Sequence, residues 1–407
     1  PQGYSSAASD VYKRQVLDVP AMSSGTGTIK ATDSYSEYAI RGGFFRVNYN
    51  YLDKYLLEVN GRYDGSSKFP KSSRFGFFPS VSAGWQIAQE RFMNSTRHWL
   101  DGLKLRASYG VIGNQNINPY TFTPSMSVNN KATSWIIDDT YVTSISSLPA
   151  LVSQNFTWEK VGTINVGLDV NLFNNRLSGV FEWYQRNTNG MLAPGVQLPA
   201  VVGASAPYQN TADMRTRGWE LSLNWRDQIG KVGYRIGFNL SDYKSEIIKY
   251  DDNAATKLLS SYYPGQTLGE IWGYVVDGYY TVDDFVDTSS WQLKEGVTSI
   301  NGYNVRPGDV KFKNLRDDDT STNVITSGDN TFDNPGDRKV IGNTTPRYQY
   351  GINLGMNYAG FDLNVILQGT GKRDYWISNV LTFPMNGDNF VPLFEGLSDY
   401  WMPKDPD

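Results

Sequence analysis

The sequence has no cysteine and a single histidine, His98, among its 407 residues. The absence of cysteine excludes disulfide scaffolds and thiolate-bound zinc or iron–sulfur sites. One histidine leaves little for a histidine-rich metal site or for serine–histidine–aspartate catalysis, and we interpret His98 as a structural turn residue. No run approaches the ~18 consecutive apolar residues of a membrane-spanning helix, which excludes a polytopic helical membrane protein.

Charge is also scarce. Charged residues make up 19% of the sequence, the formal net charge is −4, and no basic cluster occurs, which argues against nucleic acid as a partner. Aromatic residues, in contrast, make up 14%, and there are 39 glycines. Many aromatic residues with a small net charge exclude a disordered chain. This composition is typical of secreted and outer-membrane β-proteins.

The two ends of the chain are unusual. The segment from Asp10 to Gln15 reads DVYKRQ, which matches a translated sequencing adapter, although a plain polar linker is the alternative. We therefore expect residues 1–15 to be non-native and leave them out of the fold prediction. The chain begins at Pro1 and stops in a polar segment, so we expect a piece of a longer protein.

Apolar and polar residues alternate at every second position, and this pattern predicts ten β-strands. No segment has the apolar spacing of 3.6 residues that a helix requires. The ten predicted strands contain residues 45–51, 55–63, 75–87, 103–111, 164–172, 177–188, 219–225, 234–240, 350–358 and 361–367.

The predicted strands are about ten residues long, which is the length that crosses a bilayer at a tilt. Their connections alternate between short and long, as in barrels with short periplasmic turns and long extracellular loops. The short turns lie near 53, 88–102, 174, 228–231 and 359, and the long loops are 64–73, 113–157, 189–216, 245–346 and the segment from 370 onward. The pattern predicts an all-β, transmembrane antiparallel barrel; the alternative is a soluble sandwich with one wet face.

The two faces of the predicted strands differ in chemistry. One face is apolar and carries aromatic side chains near the strand ends, as in the aromatic girdles of membrane barrels. The other face is polar, which suits a water-filled or plugged lumen and not a dry core. The acidic residues predicted to face the lumen are Glu58, Asp64, Asp169, Glu182 and Glu220.

Six stretches of the sequence together resemble one family of proteins. They read YLLEVNGRYDGSSKF (55–69), RFGFFPSVSAGW (74–85), LKLRASYGVIGNQNI (103–117), WEKVGTINVGLDVNLFNNRLSGVFEWYQRNT (158–188), PGDVKFKNL (307–315) and IGNTTPRYQYGINLGMNYAGFDLNVILQGTGKRDYW (341–376). From about Gly42 to Asp407, the chain resembles the barrel domain of SusC/RagA-type TonB-linked (TonB-dependent) outer-membrane proteins of the Bacteroidota.

The resemblance implies a fold, a location and partners. Residues 16–407 would be part of a barrel of about 22 strands in the outer membrane of a Gram-negative cell, without the N-terminal plug and the terminal strands. A SusD-like lipoprotein would cover the barrel, and the TonB complex would act through the missing plug region. The implied function is import of glycans, usually oligosaccharides, or of peptides, with no catalysis and no cofactor.

Two other functions stay open at this point. A secreted carbohydrate-active β-enzyme would need a convergent pair of carboxylates about 5–10 Å apart. A passive porin or adhesin barrel would lack both the plug and the lipoprotein partner.

Site residues can be predicted only in the long loops. Aromatic rings pack against sugar rings, and our candidates for substrate contact are Trp135, Trp272 and Tyr279. Asp317 and Asp319 are candidates for calcium, because the family often has an aspartate-rich loop there. This stretch lacks the turn glycine of such loops and contains Arg316, so we predict no metal site.

Overall fold

The computed structural model describes residues 35–125, 151–153, 156–316 and 323–377, together with the backbone of four short strand segments between 128 and 146. The predicted non-native segment 1–15, the candidate Trp135, and the calcium candidates Asp317 and Asp319 lie outside these residues. Within them, no helix has both the length and the apolar character needed to cross a bilayer.

The ten predicted strands are confirmed, and they form a single ten-stranded sheet in which every strand pairs with its neighbours along the chain. All of these pairs are antiparallel. The strands are β1 (Ile40–Tyr51), β2 (Tyr55–Ser66), β3 (Phe75–Gln86), β4 (Leu100–Asn114), β5 (Glu159–Leu172), β6 (Leu177–Pro194), β7 (Tyr208–Ile229), β8 (Val232–Tyr250), β9 (Arg347–Tyr358) and β10 (Phe361–Lys372). The sheet is open, because β1 and β10 are its two edges in the described part of the chain.

The register of the sheet keeps the two faces separate. Val47 on β1 lies opposite Val59 on β2, which lies opposite Val81 on β3. One residue away, Glu58 lies opposite Ser82 on the other face. Because side chains alternate between the faces of a strand, a shift of one residue would reverse this separation, so the pattern fixes the register.

The apolar face of the sheet is exposed. Side chains at its centre keep large exposed fractions, 59% for Val47, 41% for Val81, 40% for Val166 and 37% for Leu223. A soluble sandwich would bury these residues against a second sheet. A continuous exposed apolar face is instead what a membrane barrel presents to lipid.

The short turns are where the sequence predicts them. Leu52, Asp53 and Lys54 connect β1 to β2, and the first two have φ angles of 53° and 54°. Ala359 and Gly360 connect β9 to β10 with φ angles of 48° and 88°. A turn with two consecutive positive φ angles has a backbone twist that matches the right-handed twist of the flanking strands. Such turns are therefore favoured in tight hairpins.

The long loops differ from the prediction in one respect. We expected a loop over 189–216, but β6 continues to Pro194 and β7 begins at Tyr208, so the loop covers only 195–207. β8 likewise continues to Tyr250, and the next loop begins at residue 251 rather than 245. The strands continue because their ladder hydrogen bonds do not require apolar side chains, whereas the prediction followed the apolar alternation alone.

The segment 251–346, which we call the outer loop, has its own small structure. Among its described residues, 251–316 and 323–346, three pairs of short strands form: Glu270–Tyr274 with Arg338–Asn343, Val276–Tyr279 with Val310–Phe312, and Ser299–Ile300 with Val324–Ile325. Tyr280, Phe285 and Val305 form a buried cluster in it. The outer loop is therefore a folded unit carried by β8 and β9.

Candidate functional site: the lumen face and the outer loop

The polar side of the ten-stranded sheet, which we call the lumen face, carries a charged network at its centre. Arg106 on β4 donates from Nε to Asp169 on β5 over 3.1 Å, and its Nη2 atom donates to Glu182 on β6. Asn165 donates to the second oxygen of Glu182 over 2.9 Å. All four side chains are half-buried. One arginine therefore connects three strands and engages two carboxylates.

A second network covers β1 to β3. Arg46 donates from Nε to Asn60 over 2.8 Å, and Asn60 donates to Glu58 over 2.7 Å. Further along β2, Arg62 and Asp64 form an ion pair of 2.9 Å. The two networks line neighbouring depressions with volumes of about 440 Å³ and 930 Å³. The lumen face thus offers a continuous surface of hydrogen-bonding groups.

The predicted lumen acids lie on this face, and four of the five have partners. Glu58, Asp64, Asp169 and Glu182 accept hydrogen bonds from arginine or asparagine side chains. Glu220 lies opposite Glu182 on β7 and has no ion pair or hydrogen bond among the described residues. Carboxylates held in place by such hydrogen bonds keep further lone pairs as acceptors and can orient a polar solute.

An aromatic cluster closes part of the lumen face at the end where the long loops begin. Phe69, Phe78, Phe156 and Trp158 are all buried there. Trp158 donates from Nε1 to the carbonyl oxygen of Arg74 over 3.0 Å, which connects the start of β5 to the loop between β2 and β3. This cluster fixes the loops of the outer end against the strands.

Trp272 and Tyr279, both predicted substrate contacts, have different surroundings in the outer loop. Trp272 is half-buried: its Nε1 donates to Tyr263 Oη over 3.3 Å, and its ring packs edge-on against Phe332. Burial and the hydrogen bond to Glu270 raise the pKa of Tyr263. Tyr279 keeps 54% of its surface exposed. Its role and that of Trp272 in substrate contact stay predictions, and Tyr279 is the more accessible of the two.

A buried aspartate holds the outer loop together. Asp337 is 1% exposed, and its carboxylate accepts backbone hydrogen bonds from Leu315 over 2.9 Å, Arg316 over 3.2 Å and Thr326 over 2.8 Å. Three backbone donors satisfy the carboxylate, which makes its burial tolerable. Asp337 thereby connects two segments that are distant along the loop.

At the opposite, short-turn end, Glu90 is the centre of a smaller network. It forms an ion pair with Lys54 over 3.1 Å and accepts hydrogen bonds from Tyr55 over 2.8 Å and Trp85 over 3.2 Å. The bonds from Tyr55, Lys54 and Trp85 lower the pKa of Glu90. His98 lies in the same connection, where Nδ1 is 3.0 Å from the carbonyl oxygen of Ser95.

Comparison with known proteins supports the architecture. A model of the family described as TonB dependent receptor-like, beta-barrel, matches residues 3–401. The chain belongs to this family. In Formosa agariphila, TonB-dependent receptor P3 is 30% identical over 364 residues, which cover 85% of this chain and 33% of that protein. TonB-dependent receptor SusC of Bacteroides thetaiotaomicron is 35% identical over 209 residues, covering 51% of this chain and 20% of that protein.

Solved structures of the RagAB peptide importer share the fold. The RagAB peptide importer in its open-open state aligns with a TM-score of 0.65 at 24% identity, over 86% of this chain and 34% of that chain. The closed-closed state aligns with a TM-score of 0.60 at 24% identity, over 82% of this chain and 33% of that chain. The chain spans about a third of the length of TonB-dependent receptors P3 and P26 of Formosa agariphila.

Within this TonB-dependent barrel, sequence patterns did not reveal the pairing partners. Arg106 meets Asp169 and Glu182 across sequence separations of 63 and 76 residues. Arg347 binds Asp242 across 105 residues. Alternation assigns each residue to a face, but only the register of neighbouring strands decides which cation meets which acid.

Proposed function

We propose that this chain is part of an outer-membrane importer that takes up oligosaccharides through its lumen, driven by the TonB complex and together with a SusD-like lipoprotein. Residues 16–407 would supply ten strands of the barrel, and residues 1–15 would not belong to the native protein. Membership of the TonB-dependent barrel family supports the TonB complex as the energy source for import. The exposed apolar face and the polar lumen face support a location in the outer membrane.

The observation that carries this proposal is the division of the sheet into an exposed apolar face and a hydrogen-bonded lumen face. Sugar hydroxyls need many donors and acceptors, and the lumen face provides them in the networks around Arg106 and Asn60. Exposed aromatic rings such as Tyr279 provide flat apolar surfaces that stack on sugar rings. The exposed rings would bind the sugar outside the barrel, and the lumen face would form hydrogen bonds with it during passage.

A peptide is the second candidate substrate. RagAB, whose fold this chain shares, is described as a peptide importer. The paired cations and carboxylates of the lumen face would suit the backbone and charged ends of a peptide as well as sugar hydroxyls. Uptake measurements must therefore compare both substrate classes.

The test is uptake of fluorescently labelled oligosaccharides and peptides by cells that carry the intact importer, with and without a functional TonB complex. We expect uptake of oligosaccharides that stops when TonB is removed. Uptake that persists without TonB would support a passive porin instead. Uptake of peptides alone would overturn the oligosaccharide assignment while leaving the importer assignment intact.

Site residues can be tested in the same assay. Tyr279→Ala should reduce oligosaccharide uptake, because it removes an exposed ring without disturbing a buried cluster. Tyr303→Ala is the matched control, since Tyr303 lies in the same outer loop and is 76% exposed. Equal uptake by the Tyr279 variant and the control would refute a role of Tyr279 in substrate contact. Trp272→Phe keeps a ring against Phe332 and tests whether the indole itself contributes.

A further inference from the structure

Two cations lie directly opposite each other on the lipid-facing side of the sheet. Arg217 on β7 pairs in register with Lys244 on β8. Because residues two apart share a face, Arg217 lies on the same face as Trp219, Leu221 and Leu223. Like charges directly opposite each other destabilise a strand pair, so this pair calls for an explanation.

The carboxylates nearest to the pair are already engaged. Glu246 forms an ion pair of 2.9 Å with Arg215, and Asp242 forms one with Arg347. Arg217 donates from Nε to the neutral amide oxygen of Gln185 over 2.7 Å. Within the described part of the chain, neither Arg217 nor Lys244 has an acidic partner. This region therefore carries four positive charges, on Arg215, Arg217, Lys244 and Arg347, and two negative charges, on Glu246 and Asp242. The excess is two positive charges.

The position of the pair matches a lipid headgroup layer. Trp183 and Trp219 lie opposite each other on the apolar face, just below Arg217 along the strand. Aromatic residues of this kind mark the boundary between hydrocarbon and headgroups in membrane barrels. The long loops lie at this end of the strands, which identifies it as the extracellular end. Arg217 and Lys244 are thus at the level of the outer-leaflet headgroups.

We propose that Arg217 and Lys244 form a binding site for the phosphate group of an outer-leaflet lipid. A guanidinium presents several donors in one plane and suits phosphate oxygens, while a lysine adds a flexible point charge. Gln185 holds Nε of Arg217, which leaves the terminal nitrogens of the guanidinium for the lipid. A bound phosphate would offset the repulsion between the two cations. This inference rests on the proposed outer-membrane location.

The test compares lipid binding by the intact importer in detergent and in nanodiscs. The probes are phosphorylated lipid A, dephosphorylated lipid A and inorganic phosphate, with bound lipid measured by native mass spectrometry. We expect the double variant Arg217→Gln/Lys244→Gln to bind phosphorylated lipid A about tenfold more weakly than the parent protein. Dephosphorylated lipid A should bind weakly to both proteins.

The matched control is Arg226→Gln/Arg235→Gln. These two arginines are also directly opposite each other on β7 and β8, but they lie on the lumen face. Their removal changes the charge by the same amount, and lipid binding should remain at the parent level. An equal loss in both double variants would mean that net charge alone attracts the lipid and would overturn the site.

Three other outcomes would also overturn the proposal. They are unchanged lipid binding by the Arg217/Lys244 variant, equal binding of dephosphorylated lipid A, and binding of inorganic phosphate as strong as that of the lipid. Membrane insertion and TonB-dependent uptake are measured in cells that produce the same proteins. If the parent protein fails to insert, the proposed function fails; if it inserts and imports but does not select the phosphorylated lipid, only this inference fails.

Discussion

Glu182 on β6 and Glu220 on β7 lie directly opposite each other on the lumen face, and only Glu182 has an arginine partner among the described residues. Two like charges in register repel, and Arg106 offsets this repulsion from the far side of Glu182. Arg106 also binds Asp169. Arg106 therefore binds two of three neighbouring carboxylates and offsets part of the repulsion among them.

Arg106→Gln should destabilise the barrel, because it leaves these carboxylates without their cation. An exposed ion pair contributes up to about 1 kcal/mol, and removing one partner of a buried pair costs about 3 kcal/mol or more. The half-buried position of Arg106 places the expected loss between these values. The measurement is the urea midpoint of the purified intact protein. Lys104→Gln, on the same strand and face, is the control and should shift the midpoint less.

Arginine on the apolar face should block assembly. Val166→Arg and Leu223→Arg each place a charge against lipid, which costs about 2–4 kcal/mol near the middle of a bilayer. Asn165→Arg places the same charge on the lumen face beside Glu182 and should be tolerated. Assembly is measured as the folded, heat-modifiable band in the outer-membrane fraction. Equal assembly of all three variants would contradict the assignment of the faces.

The network around Glu90 predicts a pH dependence at the short-turn end. Hydrogen bonds from Tyr55, Lys54 and Trp85 lower the pKa of Glu90 below its ordinary value of 4.5 in the folded protein. Its contribution to stability is therefore fully present above pH 4.5 and is lost as the pH falls below that value, through the folded pKa. Unfolding midpoints measured from pH 7 to pH 3 should show this loss.

Glu90→Gln should be less stable than the parent protein at pH 7 and should show a smaller loss below pH 4.5. Glutamine keeps an oxygen for Tyr55 and Trp85 but cannot form the ion pair with Lys54. Lys54→Gln should reproduce part of the loss of stability at pH 7. Identical pH profiles of the parent and the Glu90 variant would rule out this origin of the acid sensitivity.

Asp337→Asn should loosen the outer loop without affecting the barrel. An asparagine has one acceptor oxygen for three backbone donors, and each lost hydrogen bond to a buried group costs about 1–3 kcal/mol. Amide hydrogen exchange should become faster at residues 313–316 and 323–326, while β1 to β5 remain unchanged. Asp333→Asn is the control, since Asp333 has an exposed side chain in the same loop.

Period-two alternation predicted the strands, the short turns and the assignment of residues to faces, because each depends on neighbouring positions in the sequence. Glu58 and Asp169 could be placed on the lumen face for this reason. Their partners could not be predicted, since these depend on the register of strands that are far apart along the chain. Asp337 illustrates the limit: its environment is created by residues 315, 316 and 326.

The full lengths of β6, β7 and β8 could not be predicted for a different reason. In the parts of β7 and β8 that were not predicted, residues such as Arg217 and Lys244 replace apolar residues on the outward face, so the alternation fades. The ladder hydrogen bonds continue regardless of side-chain polarity. Apolar periodicity therefore marks only the part of each strand whose outward face is apolar, and it underestimates the length of the strands.

The length of these strands sets the height at which a solute first meets the protein. β7 has 22 residues, or about 70 Å of strand at ~3.3 Å per residue. At the tilt of ~35–45° that is usual in membrane barrels, this is roughly 50–60 Å of height, against a hydrocarbon layer of ~30 Å. In the proposed outer-membrane location, this surplus would hold the long loops at the same end of the strands above the membrane surface. A diffusing solute would then meet these loops in bulk water, away from the lipid headgroups. Shortening β6, β7 and β8 together at this end would lower the height of these loops and leave the lumen face of the remaining strands unchanged.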